Sequence, residues 1–133
     1  MFGEIRNGIM GFSGPGNEAV RCLQKIPELH QNFELDEFIV MPNHVHCILT
    51  ITQSKNEAFC SNEYRKLNAG SISSIINQYK GVVKKWCNNN GLEGFEWQGR
   101  FYDHVIRNDN EYWAIKNYII NNPANWQRDK FFP

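Results

Sequence analysis

Several signatures that define large classes of proteins are missing from this 133-residue sequence. No apolar run approaches the ~20 residues that a membrane-spanning helix needs, and residues 1–8 lack the basic and then apolar pattern of a signal peptide. No GxxxxGK[ST] loop for nucleotide phosphates occurs. We therefore expect a cytoplasmic protein without a membrane partner, and a reaction that does not depend on ATP.

Paired cysteines are missing as well. The four cysteines show no CxxC motif and no paired spacing, which argues against disulfides or a zinc site and predicts reduced thiols. They are Cys22, Cys47, Cys60 and Cys87. The length suits one domain over residues 1–133, and a 41% hydrophobic and 14% aromatic composition is typical of a globular chain.

The formal net charge is zero, and this balance by itself argues against a nucleic-acid-binding protein. The distribution is uneven, however, because residues 1–64 carry eight acidic and four basic side chains, whereas residues 65–107 carry seven basic and three acidic ones. A basic middle segment can face phosphates. It equally fits lysines that solvate the surface of a helix, and both interpretations stay open.

Local patterns predict a hairpin and a helix at the start of the chain. Asn7-Gly8 lies between short runs over residues 2–6 and 9–12, which is a strong signal for a two-residue β-turn. Apolar residues from Ala19 to Ile26 recur at helical spacing, and we expect this helix to end near Pro27.

The middle of the chain predicts two strands and a long helix. The strands cover residues 34–41 and 44–52, and Pro42-Asn43 separates them so closely that they should pair antiparallel. A polar loop is expected over residues 53–70. The helix that follows should begin at Ser71, with Tyr79 and Trp86 in the core.

A strand over residues 101–107 and a last helix complete the pattern. Asn108 and Glu111 form a capping-box motif, and Pro123 should stop the helix at about Asn122; Trp113 within it is assigned to the core. The element order indicates an α+β fold. A ferredoxin-like two-layer sandwich with one antiparallel sheet, in the order βαββαβ, is the natural candidate.

The first chemical signal is the HxH motif of His44 and His46. Side chains alternate along a strand, so both imidazoles should point to one face, about 6–7 Å apart. They are then able to share a divalent ion. Alone this is weak evidence, because Ile48 and Thr50 share the face and the histidines could equally be surface or hydrogen-bonded side chains.

The second signal is Tyr118, which stands four residues before Asn122 and hence on the same helical face. A helical tyrosine is usually a packing residue, and an asparagine before proline usually a helix stop. Phosphodiester cleavage, however, needs an ion that polarises the phosphate and a nucleophile held in line. Tyrosine can be that nucleophile if its hydroxyl loses the proton. Together the two signals predict a candidate cleavage site.

Three segments in register carry a resemblance to a known family. They are Glu37-Phe-Ile-Val-Met-Pro-Asn-His-Val-His, the helix Ser71-Ile-Ser-Ser-Ile-Ile-Asn-Gln-Tyr-Lys80, and a C-terminal run that joins Trp97-Gln98, Arg100-Phe-Tyr-Asp-His-Val-Ile-Arg107 and Tyr118-Ile-Ile-Asn-Asn-Pro-Ala-Asn-Trp126. In this order and spacing, the sequence from Gly3 to Trp126 resembles the single-tyrosine HUH transposases of the REP-associated group.

The resemblance implies a metal site and a reaction. His44 and His46 would be two metal ligands and Asn122 the third, and together they would hold Mg²⁺ or Mn²⁺. Tyr118 would attack the scissile phosphate of single-stranded DNA with hairpins, leaving a 5′-phosphotyrosine and a free 3′-hydroxyl. The covalent intermediate conserves the bond energy, so rejoining would not need ATP.

Candidate DNA contacts come from cationic and flat side chains in the basic segment. Lysines can hold phosphates, and arginines beside a tyrosine suit stacking on unpaired bases. The candidates are Lys80, Lys84, Lys85, Arg100, Tyr102 and Arg107. The ordinary alternatives are a solvated helix face for the lysines and a sheet-edge pair for the arginines.

Members of this family usually begin with an additional strand before the Phe-Gly-Glu-Ile hairpin, and here the sequence starts at Met1-Phe2-Gly3. We therefore expect that strand to be missing, which would leave open strand edges and could separate the metal ligands from Tyr118. Three explanations stay open: a fragment or misassigned start, a strand supplied by a partner in a homodimer, or a degenerate copy that binds DNA hairpins without cleaving them. The remaining alternative is a ferredoxin-like module that binds protein or metal for another purpose.

Overall fold

The structure, a computed structural model, describes residues 2–51, 61–97, 104–129 and 132, and for residues 61–71 it describes the backbone alone. In chain order the elements are β1 (Gly3–Arg6), β2 (Ile9–Phe12), α1 (Gly14–Leu29), β3 (Phe33–Val40), β4 (Val45–Ile51), α2 (Ser61–Asn89), α3 (Asp109–Asn121) and a 3₁₀ helix (Pro123–Arg128). The expected α+β composition is confirmed. Among the described helices, none has the length and apolar character needed to cross a membrane.

The β1–β2 hairpin forms as predicted and is tied to the turn that carries the HxH motif. Asn7 and Gly8 have φ angles of 54° and 75°, the left-handed conformation that a two-residue type I′ turn requires. The N–H of Phe2 donates to the Pro42 carbonyl at 2.9 Å, and the Phe2 carbonyl accepts from the N–H of Ser13, also at 2.9 Å. The hairpin is thus anchored by hydrogen bonds to the start of α1 and to the β3–β4 connection.

β3 and β4 pair antiparallel, as expected, but with a bulge in β3. Leu35 lies opposite Leu49 and Phe38 opposite Cys47, so β3 contains one residue more than β4 over this stretch. The extra residue keeps the apolar side chains before and after the bulge on one face. Both Leu35 and Phe38 therefore pack against the core, while Asp36 within the bulge contacts α3.

The hydrophobic core lies between α1, α2 and one face of the β3–β4 pair. Ala19, Leu23 and Ile26 of α1 are buried, as their spacing predicted. They form one cluster with residues of β3 and α2, among them Val83. Tyr79 on α2 donates a hydrogen bond from its hydroxyl to the Ala19 carbonyl at 3.0 Å, which locks the two helices together.

α3 lies against the opposite face of the β3–β4 pair. The hydroxyl of Tyr112 donates to Oδ2 of Asp36 at 2.5 Å, and Nζ of Lys116 lies 3.4 Å from Oδ1 of the same carboxylate. The helix begins as predicted, because Asn108 Oδ1 accepts from the N–H of Glu111 at 2.8 Å. The bulge in β3 therefore supplies the anion that positions α3.

The ferredoxin-like arrangement is not confirmed. The described strands form two separate two-stranded sheets, β1–β2 and β3–β4, where one antiparallel sheet was expected. Of the strand predicted over residues 101–107, residues 104–107 are not in a strand and residues 101–103 lie outside the described part. The described helices also pack on both faces of β3–β4, and the two-layer arrangement is likewise not confirmed.

Several element boundaries and one core assignment differ from the predictions. α2 begins at Ser61 rather than Ser71, so the described part of the predicted polar loop, residues 61–70, is helical. Its polar residues lack the periodicity that reveals a helix. α1 continues two residues past Pro27, because a proline in the last turn removes one hydrogen bond without ending the packed face. Trp113 is 56% exposed and not in the core.

Candidate metal and tyrosine site

The β3–β4 turn brings the two imidazoles of the HxH motif together. His46 lies in β4 and His44 immediately before it, and their Nε2 atoms are 3.0 Å apart. The two side chains therefore point towards each other across the one residue that separates them in the sequence. The turn that holds them is anchored to the core, because Met41 is fully buried and its N–H donates to the His44 carbonyl at 2.8 Å.

The surroundings of His44 favour one tautomer of its ring. Nδ1 lies 2.7 Å from Oδ1 of Asn43, and an amide oxygen can only accept a hydrogen bond. Nδ1 therefore carries the proton, and Nε2 keeps a lone pair directed towards His46. This is the arrangement in which a neutral imidazole binds a metal through Nε2.

Tyr118 on α3 reaches the same place from the other side. Its ring meets the ring of His46 edge to face, with centroids 5.4 Å apart, and the side chain is 49% exposed. Partial burial and then the negative charge of Asp129 raise the pKa of the Tyr118 hydroxyl, while the Asn122 side chain acts in the opposite direction. At neutral pH the hydroxyl is protonated, so its use as a nucleophile requires a proton acceptor.

Asp129 is a third group at this site, and the sequence analysis did not identify it. The residue follows the 3₁₀ helix, its side chain is 2% exposed, and Oδ2 lies 3.8 Å from Nε2 of His44. One ligand atom from each of Asp129, His44 and His46 lies within 4.8 Å of the others. No local spacing connects Asp129 to the histidines. It reaches the site at the end of the 3₁₀ helix, which contacts α3.

These three side chains fit a divalent metal ion. When an octahedral ion lies about 2.1 Å from each of two adjacent ligand atoms, those two atoms are about 3.0 Å apart. This separation matches the 3.0 Å between Nε2 of His44 and Nε2 of His46. Two imidazoles with one carboxylate form a donor set that binds first-row divalent ions. The side chain of Asp129 is nearly inaccessible to solvent, and a carboxylate so placed needs a compensating cation or hydrogen bonds.

Asn122, the predicted third ligand, also lies next to the tyrosine. It is the C-cap residue of α3, is 3% exposed, and influences the pKa of Tyr118. Its Nδ2 atom is buried and has no hydrogen-bond partner among the described residues. The structure thus brings Asn122 to the site, and its role as a ligand stays a prediction.

The candidate DNA contacts are distributed away from this cluster. On α2, Lys84 pairs with Glu96 at 2.8 Å, Nζ of Lys80 lies 5.8 Å from the centre of the Trp97 ring, and Lys85 is exposed. α2 belongs to the layer on the other side of β3–β4 from His46.

Of the remaining candidates, one is described. Arg107 is exposed just before α3, where its backbone N–H donates to Oε1 of Glu111 at 3.2 Å. Arg100 and Tyr102 lie outside the described residues. The structure therefore leaves the DNA contacts as predictions.

Comparison with known proteins gives one close and one distant relative. An uncharacterized protein of Haemophilus influenzae is 33% identical over 139 residues, covering 99% of this chain and 77% of that protein. The chain belongs to the family of that protein. A REP-associated tyrosine transposase of Escherichia coli is 28% identical over 92 residues, covering 69% of this chain and 45% of the transposase. The second match thus spans less than half of the transposase.

Other comparisons add no further assignment. No protein-family model matches the chain, and no solved structure shows a significant match. Membership in the family of the Haemophilus influenzae protein carries no activity with it.

Proposed function

We propose that this protein is a transposase-like enzyme that cleaves and rejoins single-stranded DNA beside hairpins, with Tyr118 as the nucleophile. His44, His46 and a third oxygen ligand would hold a divalent ion, Mg²⁺ or Mn²⁺. The observation that carries the proposal is the contact between the rings of Tyr118 and His46, at the point where the two histidine Nε2 atoms converge. The distant similarity to a REP-associated tyrosine transposase supports the same reaction class.

The side chains at the site suit a transesterification. The Tyr118 oxygen forms a bond to phosphorus, and the bond to the 3′-oxygen breaks. The departing 3′-oxygen takes a proton from water, which leaves a 5′-phosphotyrosine and a 3′-hydroxyl. The phenolic proton passes to the carboxylate of Asp129, which is hydrogen-bonded to the hydroxyl. A bound divalent ion would polarise the phosphate and stabilise its developing charge.

Two oxygens let Asp129 serve the tyrosine and the metal together. Oδ2 lies towards His44, so Oδ1 remains on the side from which a proton can be accepted. Asn122, buried one helical turn after Tyr118, would restrict the orientation of the phenol. This division of roles makes Asp129, rather than Asn122, the third metal ligand in our proposal.

The DNA strand would enter from the exposed side of Tyr118. Arg107 precedes α3 and lies eleven residues before Tyr118, about 16 Å along a helix axis. We propose that it contacts a phosphate several nucleotides from the cleaved bond. Phosphate or base contacts are also proposed for Lys80, Lys84, Lys85, Arg100 and Tyr102.

A covalent-adduct assay tests the proposal. The purified protein is incubated with end-labelled single-stranded DNA that contains a hairpin, in Mn²⁺ or in EDTA, and resolved on a denaturing protein gel. We expect a labelled protein band in Mn²⁺ that is absent in EDTA. Hairpin binding with no adduct in either metal would contradict the enzyme and favour a relative that only binds hairpins.

A further inference from the structure

A cavity of about 630 Å³ lies between the turn of the β1–β2 hairpin and the 3₁₀ helix, and it opens to solvent. Its volume is in the range of about 300–1,000 Å³ that is usual for small-molecule sites. Trp126 lines the cavity and also lies beside His44, with ring centroids 6.0 Å apart. The cavity is therefore a direct neighbour of the metal site, separated from it by one indole.

We propose that this cavity binds one unpaired nucleobase of the DNA strand next to the cleaved phosphate. The inference rests on the proposed function and adds to it a base-binding subsite. A base held beside Trp126 would direct its own sugar and phosphate towards His44, because the same indole borders both places. The subsite would thus position the strand for attack by Tyr118.

The aromatic side chains of the cavity suit a flat heterocycle. The rings of Trp126 and Phe132 meet at 5.4 Å with an angle of 78° between their planes. One ring can therefore stack on the face of a base while the other contacts its edge. The indole contacts both the imidazole of His44 and the ring of Phe132, and these contacts limit the entropy lost on binding.

The polar lining suits the edge of a base and its phosphate. Asn7, Asn125 and Gln127 line the cavity, and each carries an amide, which offers both a donor and an acceptor, as the edges of bases require. Arg128 adds the positive charge that a phosphate needs. Among the described residues that line the cavity, none is acidic, so no carboxylate of the lining repels an anionic strand.

The hairpin side of the cavity is formed in advance of binding. Asn7 and Gly8 are fixed in the left-handed conformation of the turn. A methyl group built on Gly8 would come within 3.5 Å of the Ala124 Cα, which shows how closely the turn approaches the 3₁₀ helix. A ligand would therefore enter an existing cavity rather than create one.

The test compares DNA with and without bases. A fluorescent DNA hairpin with an unpaired thymidine tract on each side is titrated against the same hairpin with abasic tracts, with fluorescence anisotropy as the readout. The Tyr118→Phe protein in EDTA is used, so that neither cleavage nor metal binding contributes. If one base stacks on one aromatic ring, the hairpin with abasic tracts should bind more weakly than the hairpin with thymidine tracts, by a factor between about five and about 150.

Variants identify the cavity as the source of that difference. Trp126→Ala should bind both DNAs with affinities that agree within about two-fold, whereas Trp126→Phe should keep most of the preference, because phenylalanine also stacks. Trp113→Ala, which removes an exposed indole from α3, is the matched control and should keep all of it. Asn7→Asp retains the turn and should change the order of preference among thymidine, adenosine and cytidine tracts.

The failures of the two proposals give different results. Hairpin binding that is equal with normal and abasic tracts would overturn the base-binding cavity while leaving the cleavage proposal intact. A preference that survives Trp126→Ala would also overturn it, by placing the base elsewhere. Absence of both DNA binding and covalent adduct would overturn the proposed function, and the subsite with it.

Discussion

The imidazole of His46 meets the phenol ring of Tyr118 edge to face, with ring centroids 5.4 Å apart and planes at 75°. This contact joins β4 to α3, which are far apart in the sequence. The structure thus brings the two histidines and Tyr118 together. Asp36 keeps them together, since its carboxylate holds Tyr112 and Lys116 of α3.

Removing one hydroxyl from α3 should abolish strand cleavage without unfolding the protein. Tyr118→Phe keeps the ring against His46 and loses only the oxygen that attacks phosphorus, so we expect no covalent adduct and unchanged DNA binding. Tyr112→Phe on the same helix is the matched control, and it should keep the adduct while lowering stability through its lost bond to Asp36. An adduct formed by Tyr118→Phe would place the nucleophile elsewhere.

Replacing ligands should weaken Mn²⁺ binding, measured by isothermal titration calorimetry. We expect His46→Ala and Asp129→Asn each to reduce the affinity by at least about ten-fold, because each removes a donor from the cluster. Asn122→Ala should change the affinity by less than about three-fold. The reverse result, with Asn122→Ala deleterious and Asp129→Asn harmless, would make Asn122 the third ligand.

The carboxylate of Asp36 should stabilise the fold in a pH-dependent way. The hydrogen bond from Tyr112, and then Lys116, holds the pKa of Asp36 below its usual range. Because the pKa is lower in the folded state, the stabilisation is present above the unfolded pKa of about 3.9 and is lost as pH falls through the folded pKa.

Urea unfolding of Asp36→Asn measures this effect. We expect a loss of about 1–2 kcal/mol at pH 7, allowing for partial exposure of the pair. The difference from the wild type should shrink below about pH 4. Glu34→Gln on the same strand is the control for an exposed carboxyl and should change stability by less than about 0.5 kcal/mol. A loss in Asp36→Asn that does not vary with pH would contradict the ionic origin.

Two glycine-to-alanine changes should act in opposite directions on stability. A methyl group built on Gly16 in α1 would overlap the carbonyl oxygen of Phe2, whereas at Gly81 in α2 it meets nothing within 4 Å. Gly16→Ala should therefore cost about 1–3 kcal/mol through overpacking, and Gly81→Ala should stabilise the helix by about 0.5–1 kcal/mol. Thermal unfolding checks both, and a neutral Gly16→Ala would show that Phe2 does not hold the hairpin.

Interactions between near neighbours were predictable from the sequence alone. The Asn7-Gly8 turn and the Asn108 helix cap depend on the conformations and hydrogen bonds of a few consecutive residues, and both are present. The buried stripe that includes Ala19 and Leu23 follows from helical period in the same way. Such features need no knowledge of the rest of the chain, and this is why the pattern of residues sufficed.

Tertiary structure alone decided which distant segments meet. No periodic pattern in the sequence predicts the bulge that turns Asp36 towards α3. The same is true of the 3₁₀ helix that returns Asp129 to His44. The sequence by itself showed the HxH motif and put Tyr118 and Asn122 on one face of a helix, because residues so close in the chain are positioned by local backbone geometry. Only the packing of α3 on β3 and β4 placed Tyr118 beside His46, because contacts between remote residues depend on how every intervening element packs.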